Sequence, residues 1–188
     1  MNISKLLTTK KTVFSVHQIG QIFGVQNMNV LRVQLTRRKQ QGFLQNPHYG
    51  IRAFPHYSPD ELANALKTPS YISLETVLYK AGIVFQYYGT TIFSISNNTK
   101  SFLIDSTNYQ YHKITPKILL NPAGILHHGG IATASIERAI CDRLYLTPGY
   151  YFDNLRNVSR TKIFEVAEIY ENRRLILDLT QLKNGTQY

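Results

Sequence analysis

A chain of 188 residues, 43% of them apolar, has room for one medium domain or two small ones around a packed core. Its one cysteine, Cys141, excludes an internal disulfide and a cysteine-based zinc site, and fits a reducing cytoplasm. No run approaches the roughly 20 apolar residues of a membrane span. Lys10 and Lys11 interrupt any signal-peptide pattern at the start, so the expectation is a soluble, cytoplasmic protein without a membrane partner. The formal charge of +10 is unevenly placed: no Asp or Glu precedes Asp60, while Lys5, Lys10, Lys11, Arg32, Arg37, Arg38, Lys39 and Arg52 all do. Beyond that point acids and bases nearly balance. A segment that is all-basic and still apolar enough to fold suits a polyanion, and nucleic acid is the usual one.

The first module, residues 1–56, reads as three helices and a hairpin. Ile3 to Thr9 forms a short helix. Ser15 caps a second over Val16 to Phe23, with Ile19, Ile22 and Phe23 at helical spacing and Gly24 as the stop. Asn27 caps a third, Met28 to Gln41, which Gly42 ends. Helix, glycine-containing turn and longer basic helix make a helix-turn-helix. On a wheel, Met28, Leu31 and Leu35 fall on the core side. Asn29, Val33, Thr36, Arg37 and Gln40 fall opposite, with Arg32 on the flank. Arg suits guanine, Asn and Gln suit adenine, and Val or Thr methyls suit the thymine methyl. Asn29, Arg32, Val33, Thr36 and Arg37 are therefore the groove-facing candidates. Gln26 and Asn27 are placed near phosphate at the helix start, and Lys39 is a further contact. Phe43 to Gln45 and Ile51 to Phe54 flank the turn cluster at 46–50 and read as a hairpin, a wing from which Arg52 reaches DNA. His48 is read as a turn residue.

The second module, residues 58–188, opens at Ser58-Pro59-Asp60-Glu61, a cap, an N1 proline and a capping box. The helix runs to about Lys67 and breaks at Thr68-Pro69-Ser70-Tyr71. A second helix covers Ser73 to Ala81. Tyr87–Ser96, Lys100–Ile104 and Tyr109–Ile114 read as strands of a small antiparallel sheet. Leu126 to Gly130 reads as a strand end and a turn. Ser135 caps a helix from Ile136 to Leu146, and Tyr151–Asn157, Thr161–Tyr170 and Arg173–Leu182 read as helices. The expected fold class is α+β: a winged helix-turn-helix followed by a mixed α/β domain with a small antiparallel sheet and C-terminal helices.

Catalytic chemistry finds little to stand on. His127 and His128 are adjacent and point to opposite faces of a strand, with no metal-ligand spacing beside them. A nuclease pattern starts at Asp105 with Lys113 beyond it, and fails where Tyr111 replaces the second carboxylate. Arg138 and Asp142 sit four apart on one helix and read as a solvated rung, and Cys141 as a small buried hydrophobe. The expectation is a protein with no catalytic residues, no metal and no cofactor.

Three stretches in order carry a family resemblance: the segment Gly42-Phe43-Leu44 to Ala53, the block Leu66 to Gly82 around Pro69-Ser70-Tyr71-Ile72-Ser73-Leu74-Glu75, and the block Ile131 to Leu146. The chain resembles the AbiEi-type antitoxins of bacterial abortive-infection and toxin–antitoxin operons over nearly its whole length. It departs from the pattern at Arg38, where winged helices usually carry a core leucine, and at Arg138 and Arg143. The resemblance implies two functions. The winged helix would bind inverted repeats of double-stranded operator DNA and repress its own promoter. The second domain would neutralise a cognate nucleotidyltransferase-like toxin through a surface that the resemblance does not assign. The alternative is a one-component transcription regulator whose second domain senses a ligand or dimerises, against which stands the lack of a long amphipathic dimer helix.

Overall fold

The computed structural model describes residues 3–156 and 158–183, and the fold is mixed α/β. The first three helices, α1 (Ser4–Leu7), α2 (Val16–Phe23) and α3 (Met28–Gln40), follow the local punctuation. Ser15 caps α2 in a complete capping box: its hydroxyl accepts from Gln18 N–H, and its own N–H donates to Gln18 Oε1 at 2.8 Å. Gly24 ends α2 at φ 64°, a left-handed position that glycine adopts without strain. Leu31 and Leu35 of α3 are fully buried in a small core with Leu6, Phe14, Ile19 and Leu44, and Met28 packs against it.

The pairing beyond α3 differs from the expected hairpin. Phe43 to Gln45 forms no strand, and only Gln45 bridges to Ala53. Strand β2 (Ile51–Ala53) pairs instead with β1 (Val13–Ser15), a strand absent from the sequence reading. Alternation explains it. Successive side chains of a strand point to opposite faces. Phe14 enters the small core, whereas Val13, Ile51 and Ala53 enter the larger core of the rest of the chain. This narrow ribbon is a wall shared by both cores.

At the joint, helix α4 (Pro59–Leu66) starts with Ser58 Oγ accepting from Glu61 N–H at 3.3 Å. The expected capping box does not close. Glu61 Oε2 instead accepts from the backbone N–H groups of Thr12 at 2.7 Å and Val13 at 2.9 Å, and Ser58 N–H donates to Thr12 Oγ1 at 2.8 Å. Main-chain donors at a strand start need acceptors as much as those at a helix start do, and here the carboxylate serves the strand. Further ties are Tyr57 O–H to Asp105 at 2.7 Å and an edge-on contact of His48 with Phe102 at 5.1 Å. His48 is thus a packed turn residue. Glu61→Ala is expected to lower the unfolding free energy by about 1.5–3 kcal/mol, since it removes two charge-assisted hydrogen bonds. Urea unfolding followed by circular dichroism measures this, and a change under about 0.5 kcal/mol would remove Glu61 from the joint.

The sheet is larger than the sequence suggests, and mixed. Strands β3 (Ser70–Ile72), β4 (Thr91–Ser96), β5 (Lys100–Ile104), β6 (Thr107–Lys113), β7 (Ile125–His128) and β8 (Ile131–Ala134) lie in the order β5-β6-β4-β3-β8-β7. The pairs β4–β6 and β3–β8 are parallel, and the other three are antiparallel. The expected small antiparallel sheet is corrected on this point. The β5–β6 hairpin folds back through Asp105 and Ser106, both at positive φ, and lays β6 beside β4 rather than leaving β5 there.

Helices α5 (Glu75–Lys80), α6 (Pro116–Leu119), α7 (Ile136–Leu146), α8 (Arg160–Ala167) and α9 (Arg173–Lys183) complete the fold, with a 3₁₀ turn at Glu168–Tyr170. The helix expected over Tyr151–Asn157 does not form over 151–156, and Asn157 lies outside the described residues. The N–H groups of Asp153 and Asn154 are spent on the Ile83 carbonyl, and Asp153 Oδ2 accepts from Phe85 N–H, so the segment is pinned as a loop.

The largest departure is at α7. Arg138 and Asp142 are not a solvated rung; both are 0% exposed, with Arg138 Nε 3.4 Å from Asp142 Oδ1. Asp142 accepts from the hydroxyls of Tyr71 (3.1 Å), Tyr170 (2.6 Å) and Ser73 (2.7 Å). Arg138 donates to the carbonyls of Ile118 and Ala123, both at 2.7 Å, and to Tyr71 Oη at 3.0 Å. Burial pushes the Asp142 carboxyl above its ordinary range, while Arg138 and the hydroxyl donors pull it back. The arrangement is possible because α7 is covered on nearly every side: residues 138–142 and Leu144 are buried and none of 136–146 is exposed, which leaves its charged pair no route to water. Gly124 lets the 121–124 turn close over it: a Cβ there would lie 2.8 Å from Arg138 Cβ.

Candidate nucleic-acid interface

Helix α3 has 13 residues and so measures about 20 Å, long enough to lie in a major groove. Its buried side fixes its outward side. With Leu31 and Leu35 in the core, Asn29, Arg32, Val33, Thr36, Arg37, Lys39 and Gln40 are all exposed. At about 100° per residue, Asn29, Val33, Thr36 and Gln40 form the centre of that face. Arg32 and Lys39 flank it on one side and Arg37 on the other. Hydrogen-bonding and methyl groups lie between cations, the distribution that suits bases in the middle and phosphates at the walls. Val33 is 55% exposed, so its methyls are open to an outside contact. Thr36 donates its hydroxyl proton to the Arg32 carbonyl, which leaves its methyl and the hydroxyl oxygen's acceptor lone pairs as what it can offer outward.

The helix start is partly occupied. Asn27 Oδ1 accepts from the N–H groups of Asn29 at 3.0 Å and Val30 at 3.3 Å. Those amides are spent on the cap, so a phosphate there would meet the side-chain amide donors of Gln26 and Asn27, both exposed. Arg52 stands apart from this face. It is half-buried on β2, Nη1 donates to Asn46 Oδ1 and to its neighbour Ile51 O, and burial lowers its pKa. Arg38, at the position expected for a core leucine, is half-buried, and its Nη1 donates to Gln41 Oε1 at 2.8 Å across the helix end.

A second feature escaped the sequence reading. Beside α5 lies a cavity of about 420 Å³ lined by Asp60, Glu75, Tyr79, Lys80, Tyr87 and Phe93 among others. Glu75 is 3% exposed; its Oε1 faces Arg143 Nη1 at 3.2 Å, and Oε2 is buried with no hydrogen-bond partner. The sequence signal was a lone Glu at the start of a short helix, indistinguishable from an ordinary first-turn acid.

Among the described residues no group of three His, Cys, Asp or Glu side chains is placed to hold a metal ion, and no helix is long and apolar enough to cross a membrane. No protein-family model matches this chain, and no curated protein matches it.

Proposed function

We propose that the chain is a DNA-binding autorepressor and antitoxin. In this reading α2 and α3 form a helix-turn-helix, the 46–53 segment is its wing, and Asn29, Arg32, Val33, Thr36 and Arg37 read operator DNA. The observation that carries it is the exposed face of α3: a basic-flanked polar strip on a module without one acidic residue before Asp60. The antitoxin half draws its support from the resemblance to AbiEi-type antitoxins. The two blocks that carry that resemblance meet in space, since Tyr71 and Ser73 of one hydrogen-bond Asp142 of the other. Tyr71, Ser73 and Asp142 are buried there, so they hold the fold, and a toxin would dock on other residues.

The test is a band shift with the DNA preceding the chain's own reading frame, repeated across a salt series. The logarithm of affinity should fall linearly with the logarithm of salt, by about 0.9 per phosphate neutralised. Co-expression of the full chain with the product of a neighbouring nucleotidyltransferase-like reading frame should restore growth. The full chain is needed because Val13, Ile51 and Ala53 help fill the larger core. Affinity independent of salt, or no rescue, would sink the corresponding half. The one-component regulator is favoured by a different observation, the open cavity beside α5, which is of the size that holds a small ligand.

A further inference from the structure

The cavity beside α5 is walled by rings, and every charge on its lining is already paired. Asp60 Oδ2 meets Lys80 Nζ at 3.2 Å, and Glu75 is turned to Arg143 with its second oxygen buried away from the opening. A charged ligand entering here would shed water without gaining a counter-ion, and that desolvation is costly. An uncharged ligand meets no such penalty. The rings run from floor to mouth. Phe93 and Ile92 of β4 are buried and form the floor, and Tyr88 stands edge-on to Phe93 at 5.3 Å between centroids. Tyr79, near the end of α5, and Tyr87, on the 84–90 segment, form the mouth. They meet at 5.7 Å with planes tilted by 50°, yet stay 43% and 68% exposed. Covering a ring of this kind is worth about 1.5–3 kcal/mol. Two adjoining rings that leave so much surface open beside an apolar hollow offer it to a partner. Two hydroxyls add polarity. Thr76 Oγ1 accepts from the Phe93 N–H at 2.7 Å, which leaves its proton to donate, and Thr90 donates to the Ser106 carbonyl at 2.6 Å, which leaves its oxygen to accept. At about 420 Å³ the cavity falls within the roughly 300–1,000 Å³ of small-molecule sites, which share this pattern of apolar walls and few polar groups.

We propose that this cavity binds an uncharged, planar aromatic small molecule of one or two rings. Its faces pack against Tyr79, Tyr87 and Phe93, and its polar edge turns to the hydroxyls of Thr76 and Thr90. The ion pair of Lys80 with Asp60 stays at the rim and takes no part in holding the ligand. This names a ligand class for the cavity that favours the regulator reading. It rests on the cavity alone and holds whether or not the chain binds DNA or a toxin.

The chain has no tryptophan, so indole can be excited at a wavelength that the protein's tyrosines do not absorb. Titrating indole with the full chain should give a saturable blue shift of its emission and a rise in anisotropy. Benzoate and benzamidine, aromatic rings that carry a negative and a positive charge, should compete about 5-fold more weakly or worse. Tyr79→Ala and Tyr87→Ala, both at exposed positions, should each weaken indole binding by about 2- to 10-fold. Lys80→Ala should leave it within about 2-fold, since an uncharged ligand has no stake in the rim pair. The absence of a saturable shift overturns the proposal. So does unchanged affinity in both tyrosine variants, or tighter binding of benzoate or benzamidine than of indole. Tighter binding of the peptide acetyl-Gly-Trp-Gly-amide than of indole would overturn it too, because the occupant would then be a side chain of another protein.

Discussion

Asp142→Ala is expected to lower the unfolding free energy by about 3–5 kcal/mol, a large share of what a domain of this size has to lose. Truncation leaves the Arg138 guanidinium buried without its anion. It also leaves the hydroxyls of Tyr71, Ser73 and Tyr170 without their common acceptor. The effect reaches across the fold, because these groups come from β3, the link between β3 and α5, α7 and the 3₁₀ turn before α9. Arg138→Met should be comparably damaging, since it strips donors from the Ile118 and Ala123 carbonyls and leaves Asp142 uncompensated. The double change Arg138→Met, Asp142→Ala should cost less than the two single costs added together, because it leaves no buried charge behind. Equilibrium urea unfolding of the four proteins, followed by circular dichroism, supplies the cycle. Strict additivity, or a loss below about 1 kcal/mol for Asp142→Ala, would mean that the pair is an ornament of a core held by its apolar contacts.

Arg32→Ala with Arg37→Ala is expected to weaken binding to the chain's own upstream DNA by about 30-fold or more at physiological salt, from about 1–3 kcal/mol for each lost contact. If both guanidinium groups engage phosphate, the salt slope should flatten by about 1.8. Both side chains are exposed on α3, so thermal stability should stay within about 0.5 kcal/mol of the parent. Under the proposed antitoxin reading, growth rescue by co-expression with the neighbouring nucleotidyltransferase-like product should persist while a promoter reporter becomes derepressed. That separation is what distinguishes a reading-head defect from a folding defect. A double variant that shifts the DNA with parental affinity would move the interface off α3.

The parts of this fold that are legible in the sequence are those decided by neighbours along the chain. Ser15 with Gln18, Gly24, Asn27, Ser58 with Pro59, and Ser135 all mark helix ends where the structure has them, because a cap is a contact within four residues. The outward face of α3 followed from Leu31 and Leu35 for the same reason. What stayed hidden was decided across the chain. Val13 to Ser15 looks like loop until Ile51 to Ala53 is seen beside it. Ser70 to Ile72 looks like a helix break until β4 and β8 flank it. Glu61 has capping-box spacing, yet its carboxylate is taken by two amides 49 and 48 residues away. Arg138 and Asp142 have the spacing of a surface rung, and with Glu137 and Arg143 on the same helix nothing in its sequence marks the rung as facing inward. Glu75 has the look of an ordinary first-turn acid, and its burial against Arg143 is decided by residues far along the chain.

The ribbon of β1 and β2 has a consequence for how such a protein changes over time. Its Phe14 belongs to one core and its Val13, Ile51 and Ala53 to the other, and Glu61 reaches over to fasten its first residues. A reading head attached by a loose tether can be traded for another with a different target preference, and the remainder of the protein is untouched. Here a foreign head would have to bring its own match for Val13, Ile51 and Ala53, and present two main-chain amides to Glu61. In the proposed DNA-binding reading, target preference is therefore expected to shift by substitution along the exposed strip of α3, residue by residue, rather than by wholesale replacement of the first 56 residues.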